Sequence, residues 1–301
     1  MSELRLGLLG ISEGNGHPYS WGAIVNGYDE AEMARCPFPA IPRYLAEHPF
    51  PEEAIGGARV THLWTQDPTA SRQIAAASLI ECVVSDPEEM LGEVDAVLLA
   101  RDDAERHEEL AGPFLDAGLP VYVDKPVATS VTAARALFDR QARPGQLFTC
   151  SALRYAAELR LDRSTREAIG PVRQVLACSP KRWSRYAVHL IEPTLALVGE
   201  PSPIASHSAR TSGGATRLHV EWESGVEAEF STLGEVEAKI ELRVVGERGE
   251  RTLAFVDSFT AFKAALECFV AVARGEAEPI PEPEVLRVVE LIELGMASGA
   301  P

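Results

Sequence analysis

Two basic side chains and one phenol in this sequence have the chemistry needed to move hydrogen between an alcohol and a carbonyl. Lys125 lies directly after the apolar run Val121–Val123, and His189 lies in an apolar stretch that also contains Tyr186. Oxidation of an alcohol needs a base on the hydroxyl group and a nearby hydride acceptor. Histidine titrates near neutral pH, and a lysine can hold the substrate oxygen. We therefore treat Lys125, His189 and Tyr186 as candidate catalytic residues, with a core role for His189 as the alternative.

Three further cations are candidate substrate contacts. If residues 184–197 form a helix, Arg185 and Tyr186 lie one turn before His189 on the same face. Arg154 follows another strand-like run, and a structural salt bridge explains it equally well. His17 stands close to the start of the first predicted helix.

A glycine-rich loop follows the first predicted strand and precedes the first predicted helix. Its pattern is Gly10-x-x-x-Gly14-x-Gly16, which departs from the usual G-x-G-x-x-G spacing. Glycines at this place allow close approach of a dinucleotide pyrophosphate to the backbone and to a helix N-terminus. A glycine-rich turn without a ligand is the alternative. The candidate cofactor-binding residues are Gly10, Ser12, Gly14, Asn15, Gly16, Thr65, Asp67, Arg101, His107, Asp124 and Lys125.

The end of the second predicted strand bears on the choice between NAD and NADP. An acidic residue there would accept hydrogen bonds from the adenosine ribose of NAD. Asp67 either fills this role or caps the helix that begins at Pro68, and the two roles weigh equally. As an alternative, Thr65, Gln66 and Arg72 are candidate contacts of a 2′-phosphate. The sequence leaves both cofactors open, with a slight preference for NAD.

The elements that must position these residues change character along the chain. Short apolar strands and helical stretches alternate in the first half, which predicts a doubly wound parallel sheet of the α/β Rossmann class. Successive strand-like runs and two closing helices follow, which predict an α+β domain with an open, mainly antiparallel sheet. We place the dinucleotide-binding domain at residues 1–128 and the substrate and oligomerisation domain at residues 129–301.

Residues 26–57 fit neither pattern, because a few residues normally connect a helix to the next strand. Five prolines in this segment prevent a long regular helix. We expect an excursion that packs on the surface of its domain, with a lid or a dimer contact as the alternative.

Residues 107–125 closely resemble a stretch of the Gfo/Idh/MocA oxidoreductases. His107, the turn Ala117–Gly118 and Asp124–Lys125–Pro126 occupy matching places, and Val188–Gly199 looks like the family's histidine-bearing helix. The resemblance implies a two-domain NAD(P)-dependent oxidoreductase acting on CH–OH groups of a sugar-, inositol- or nucleotide-sugar-like substrate. It assigns catalytic roles to Lys125 and His189, and it implies a homodimer or homotetramer.

Three departures from the family pattern leave other functions open. Arg185 stands where the family usually has an Asp, Ala187 replaces a small Gly, and residues 102–104 replace Thr-Pro-Asn. Either Tyr186 or His189 alone then serves as acid and base, or the chemistry is altered. The alternatives are a non-catalytic dinucleotide-binding sensor or regulator, and an imine reductase.

Composition excludes other classes of partner. The 301 residues carry a formal net charge of −17, and such an acidic field repels nucleic acid and anionic membrane surfaces. No apolar run has the length of a signal peptide or a membrane helix. The five cysteines are scattered without a C-x-x-C pair, so we expect no metal site and reduced thiols in a cytoplasmic protein.

Overall fold

The computed structural model describes residues 3–199 and 202–297. Within these ranges the strands are β1 Leu4–Leu9, β2 Ala58–Trp64, β3 Cys82–Val83, β4 Ala96–Leu99, β5 Val121–Val123, β6 Leu147–Phe148, β7 Val172–Ser179, β8 Ile204–Ser212, β9 Ala215–Trp222, β10 Glu227–Thr232, β11 Glu241–Gly246 and β12 Glu250–Ala254. The α-helices are α1 His17–Asn26, α2 Glu30–Met33, α3 Ala40–Leu45, α4 Pro68–Ala77, α5 His107–Asp116, α6 Val131–Phe138, α7 Arg163–Ile169, α8 Trp183–Tyr186, α9 Val188–Val198, α10 Ser258–Ala273 and α11 Glu282–Met296. Short 3-10 helices cover Pro87–Met90, Ala104–Arg106, Ala152–Tyr155 and Ala157–Leu159.

The chain forms two compact units. The first contains the residues up to Ala128 together with Thr132–Thr149 and Phe262–Glu282, and the second contains Thr129–Val131, Cys150–Ala261 and the residues from Pro283 onward. The chain thus first leaves the first unit at the predicted boundary, after residue 128, and later returns to it twice. As a division into domains, residues 1–128 and 129–301 stay a prediction.

The first unit is built on a six-stranded sheet in the order β3-β2-β1-β4-β5-β6. All its neighbouring strands run parallel. This is the order of a Rossmann fold, in which ligands bind outside the carboxyl ends of the strands. The predicted doubly wound parallel sheet is therefore confirmed. The edge that matters for function follows Leu9, Leu99 and Val123, where β1, β4 and β5 end.

An aromatic cluster fixes α1 against this sheet. Trp21 of α1 stacks on Tyr122 of β5 with ring centroids 4.8 Å apart. Tyr122 meets the edge of Phe148 at 4.8 Å, and Phe269 lies 5.6 Å from both rings. Aromatic pairs in such geometries contribute about 0.5–1.5 kcal/mol each beyond their buried area. The start of α1 is consequently held at a defined place beside β5.

Residues 26–57 pack on α1 and on the glycine loop. A Cβ atom added to Gly16 would lie 2.7 Å from the ring of Phe38 and 2.6 Å from Ile41, so only glycine allows this close approach. Tyr44 donates a 2.6 Å hydrogen bond to Ser20 of α1. The segment therefore covers the surface of the first unit, as one of the two sequence interpretations expected.

The second unit contains a six-stranded sheet in the order β12-β11-β7-β10-β9-β8. β7 and β10 run parallel, and the other neighbours are antiparallel. The predicted open, mainly antiparallel sheet is confirmed, including the hairpin between β9 and β10. The strand-like run before Arg154 forms β6, which is only two residues long. The sequence analysis missed β12, a mostly exposed polar segment without a buried alternation.

The expected helix over residues 184–197 is divided in the structure. α8 ends at Tyr186 and α9 begins at Val188, with the fully buried Ala187 between them. His189 is thus in the first turn of α9 rather than in the middle of one long helix.

Candidate active site

The glycine loop begins with a residue that only glycine can fill. Gly10 has φ +78°, and a Cβ atom on it would lie 2.3 Å from Cδ of Arg101. Arg101 follows β4, is 8% exposed, and forms an ion pair with Asp103 and a 2.9 Å hydrogen bond to Gln66. Gln66 in turn donates to the carbonyl of Ile11 at 2.6 Å. The loop is therefore closed against β2 and β4 by a polar network that links the buried Arg101 to the exposed Gln66.

The middle of the loop is shaped to receive an anion. Gly14 has φ +77°, and a Cβ atom on it would meet nothing within 4 Å. The backbone amides of Ser12, Gly14 and Gly16 donate to no acceptor among the described residues. α1 begins directly afterwards at His17, whose backbone N–H donates to Asn15 Oδ1 at 2.8 Å, and the N-cap residue Gly16 has no side chain. Open space, free amides and a helix N-terminus are what a dinucleotide pyrophosphate requires, so these residues fit the predicted cofactor.

A buried carboxylate, Asp124, joins the end of β5 to the start of α1. Asp124 is 1% exposed and accepts from His17 Nδ1 at 2.6 Å, from Asn15 Nδ2 at 2.9 Å and from the backbone N–H of Lys125 at 2.7 Å. Burial alone would raise the pKa of Asp124, but electrostatic interactions with His17 and Lys125 and the hydrogen bonds from His17 and Asn15 lower it to about 2. The carboxylate is ionised at neutral pH.

Lys125 has a second carboxylate nearby. Its Nζ lies 3.5 Å from Asp102 Oδ2, and the two side chains are 7% and 6% exposed. Asp102 also accepts a 2.6 Å hydrogen bond from Ser12 Oγ. The predicted cofactor residues Ser12, Asn15, Arg101, Asp124 and Lys125 are thus brought together at one edge of the sheet.

The residues at the end of β2 serve the local structure. Asp67 caps α4 by accepting from the backbone N–H of Thr69 at 2.8 Å. The hydroxyl of Thr65 lies 2.7 Å from the carbonyl of Asp67 and 2.8 Å from Ser71 Oγ. Capping, one of the two roles weighed for Asp67, is present. Contact of Thr65 or Asp67 with the adenosine ribose stays a prediction.

His107 is fully buried between two backbone carbonyls. Its ring nitrogens lie 2.9 Å from the carbonyl of Val127 and 2.7 Å from that of Arg101. The side chain therefore braces the segments that follow β4 and β5. The sequence interpretation made His107 a direct cofactor contact, whereas this geometry makes any effect on the cofactor indirect.

In the second unit, His189 is held by a hydroxyl. Its Nδ1 lies 2.7 Å from Ser151 Oγ, and its ring meets that of Tyr186 edge-on at 5.1 Å. The expected proximity of Tyr186 and His189 is thus present. Arg185 precedes them in α8 and is half-buried.

A buried acid lies one turn after His189. Glu192 is 6% exposed, accepts from the backbone N–H of Ser151 at 2.9 Å, and has an Oε2 atom without a hydrogen-bond partner. Burial raises its pKa to about 7, against the opposing charge of Arg154. Arg154 itself pairs with Glu284 at 2.5 Å, which is the structural salt bridge weighed for it.

Sequence reasoning missed Asp102, Ser151 and Glu192 as members of these clusters. Asp102 stands at the carboxyl end of β4, and Glu192 lies three residues after His189 in an apolar helix. These two positions, after a strand and as a lone charge in an apolar run, were the signals that could have identified both residues. Ser151 carries no comparable signal.

Two searches of the described residues bear on the excluded functions. No group of three or more His, Cys, Asp or Glu side chains in residues 3–199 and 202–297 is placed to hold a metal ion. Over the same ranges, no helix has the length and apolar character that crossing a membrane requires.

Comparison with known sequences agrees with the family that the motifs predict. Residues 42–151 match a family model described as "Oxidoreductase family, NAD-binding Rossmann fold". A curated relative, inositol 2-dehydrogenase 2 of Saccharopolyspora erythraea, is 37% identical over 95 residues, which are 31% of this chain and 28% of the relative. The chain thus matches less than a third of that relative's length. The predicted resemblance to this oxidoreductase family is thus confirmed over residues 42–151.

Solved structures share the fold over nearly the whole chain. A protein from gentamicin A biosynthesis, solved in complex with NAD, has a TM-score of 0.72 at 17% identity and covers 99% of this chain and 94% of its own. UDP-N-acetylglucosamine 3-dehydrogenase of Acidithiobacillus ferrooxidans has a TM-score of 0.70 at 16% identity. The match covers 99% of this chain and 98% of that dehydrogenase. The predicted cofactor class, a nicotinamide dinucleotide, is confirmed by the family description.

Proposed function

With residues 42–151 placed in the Gfo/Idh/MocA oxidoreductase family, we propose that this protein is an NAD(P)-dependent dehydrogenase or reductase. It acts on a secondary alcohol, or the corresponding ketone, of a polyhydroxylated substrate of the sugar, inositol or nucleotide-sugar type. The observation that carries the proposal is the carboxyl edge of the first sheet. There an anion-binding glycine loop lies beside a buried lysine and two buried carboxylates.

The residues of the loop have distinct tasks in this proposal. The amides of Ser12, Gly14 and Gly16 bind the pyrophosphate, and Arg101 holds the loop closed behind them. Asp102 neutralises Lys125, which keeps that cation in the buried site before substrate arrives. When bound, the dinucleotide supplies the acceptor or donor of the hydride. Asp67 is the proposed partner of the adenosine ribose, with its capping role retained.

The family resemblance, rather than any observed contact, assigns further roles. Lys125 holds the reacting oxygen of the substrate, and His189 or Tyr186 exchanges its proton. Arg154, Arg185 and His17 stay candidate substrate contacts. The names of two similar proteins support the proposed substrate class. The curated relative is named as an inositol dehydrogenase, and one structural neighbour is named as a dehydrogenase of a nucleotide sugar.

A turnover screen tests the proposal. The purified chain is mixed with NAD or NADP and with myo-inositol, scyllo-inositol, simple aldoses or UDP-N-acetylglucosamine, and absorbance at the reduced nicotinamide band is followed. Lys125→Ala serves as the matched inactive control. Turnover that Lys125→Ala loses supports the proposal. Tight NADH binding without turnover in either direction favours a sensor, for which Arg185 in the place of the family's Asp is the supporting feature.

A further inference from the structure

The first unit contains a histidine–carboxylate pair that the family resemblance does not assign to the reaction. His17 opens α1 and Asp124 follows β5, so both lie at the ligand-binding edge of the Rossmann sheet. His17 Nδ1 and Asp124 Oδ2 are 2.6 Å apart, and the side chains are 14% and 1% exposed. We propose that this pair is the acid–base dyad of the reaction, with His17 Nε2 as the atom that accepts the substrate's hydroxyl proton.

The hydrogen bonds of Asp124 fix which nitrogen is available. An ionised carboxylate only accepts hydrogen bonds, and Asp124 accepts from Asn15, from the Lys125 backbone and from His17. In the neutral form of the ring, the proton in the shared bond therefore resides on Nδ1. Nε2 then carries the lone pair, and it has no hydrogen-bond partner among the described residues.

Packing holds the imidazole in one orientation. The ring stacks on Trp21, one turn later in α1, with centroids 5.1 Å apart and planes inclined by 14°. The edge of Phe262 meets it at 5.0 Å. A base whose rotamer is fixed in advance loses little entropy when it engages substrate.

The partner of His17 suits this histidine to accept a proton. When an imidazole takes a proton, an adjacent buried carboxylate stabilises the resulting charge. His17 has such a partner in Asp124. At the position where the family usually has an Asp, this chain has Arg185.

The step balances within the proposed function, on which this inference rests. In oxidation the O–H bond of the substrate breaks, its proton goes to His17 Nε2, and its electron pair forms the C=O bond. The hydrogen on carbon leaves with its electron pair to the nicotinamide. Asp124 keeps its negative charge throughout and acts on the reaction through His17.

The test compares variants of three histidines, His17, His189 and His219. His17→Asn keeps a donor toward Asp124 but removes Nε2, and His17→Ala leaves a space between Trp21 and Phe262 for added imidazole. We expect both to lower kcat by at least ~10²-fold, with the Kd for NADH within about threefold of wild type. Imidazole should restore turnover to His17→Ala only. His219→Ala, which removes a histidine paired with a carboxylate in the second unit, is the control.

Three results would overturn the inference. One is wild-type turnover in both His17 variants. Another is a loss of NADH affinity equal to the loss of kcat without imidazole rescue, since His17 would then be a cofactor contact. The third is imidazole rescue of His189→Ala but not of His17→Ala. The Asn variant carries the test if His17→Ala does not fold.

A separate readout distinguishes failure of this inference from failure of the proposed function. If wild type oxidises no polyol, the cofactor-free protein is treated with diethyl pyrocarbonate and its peptides are mapped by mass spectrometry. Rapid modification of His17 that Asp124→Asn slows supports an activated Nε2. No reaction at His17, while exposed His219 reacts, overturns the dyad irrespective of substrate.

Discussion

The two left-handed glycines of the cofactor loop should respond differently to the same small substitution. Gly10 and Gly14 have φ values of +78° and +77°, so an alanine at either position costs about 1–2 kcal/mol in backbone strain. The methyl group of Gly14→Ala would enter open space. That of Gly10→Ala would lie 2.3 Å from Cδ of Arg101, so this arginine has to move.

Displacing Arg101 is expensive because its guanidinium is buried and bound to Asp103 and Gln66. A hydrogen bond to a charged group is worth about 1.5–3 kcal/mol. We therefore expect Gly10→Ala to lower the free energy of unfolding by about 3 kcal/mol or more, and Gly14→Ala by about 1 kcal/mol. Gly14→Ala should instead weaken NADH binding by at least tenfold, about 1.4 kcal/mol, because its methyl occupies the pyrophosphate space.

Urea unfolding followed by circular dichroism measures the first quantity, and quenching of tryptophan fluorescence by NADH measures the second. Arg101→Ala provides the matched background. In that background Gly10→Ala should cost only the backbone strain, so the double-mutant cycle yields a coupling energy of at least about 1.5 kcal/mol. Equal destabilisation by the two alanines, or no coupling to Arg101, would refute the steric argument. Unchanged NADH affinity in Gly14→Ala would remove the loop from the cofactor site.

Three further predictions concern buried or capping charges. Because burial raises the pKa of Glu192 to about 7 from the ordinary 4.5, the folded chain keeps a proton that the unfolded chain loses. Wild-type stability should therefore fall by about 3 kcal/mol as the pH rises from 4.5 to 7, and Glu192→Gln should remove this fall in urea titrations at several pH values. Asp67→Ala should lower the free energy of unfolding by about 1 kcal/mol through loss of the helix cap, whereas Asp67→Ser keeps the cap. If the carboxylate of Asp67 binds the ribose of NAD, both variants should raise the measured ratio of NADP affinity to NAD affinity by the same factor. Lys125→Ala should lower turnover by at least ~10²-fold and stability by about 3 kcal/mol, because the buried carboxylate of Asp102 loses the cation of Lys125. Adding Asp102→Asn should then restore the melting temperature but not the turnover.

The local sequence pattern was sufficient to predict the fold class and the position of the glycine loop. Alternation of short apolar strands with helices predicts a parallel sheet, because strands buried on both faces consist of continuous apolar residues. The glycine loop could be located in the same way, because it follows directly after the residues of β1 in the sequence. Lys125 was identified in this way, with the family resemblance adding its proposed role.

Choices between two local roles needed the tertiary structure. Asp67 before Pro68 reads equally well as a helix cap or a ribose ligand, and the 2.8 Å bond to Thr69 shows the cap. The salt bridge weighed for Arg154 needs Glu284, 130 residues away, which lies beside it, and contact of Arg154 with substrate stays a prediction. The sequence contains the side chain in each case, but its partner depends on how distant segments pack.

The sequence by itself determined that this chain has an α/β dinucleotide unit, a second α+β unit and a lysine at a strand end. Those properties follow from local periodicity and from turns whose residues are neighbours. Only the tertiary structure paired His17 with Asp124, 107 residues apart, and Ser12 with Asp102, 90 residues apart. A strand order of β3-β2-β1-β4-β5-β6 makes β1, β4 and β5 adjacent, and only that adjacency brings the loops that follow them within hydrogen-bonding distance. The sequence specifies the chemical type of each side chain. The partner that fixes the protonation and orientation of that side chain depends on how the whole sheet packs.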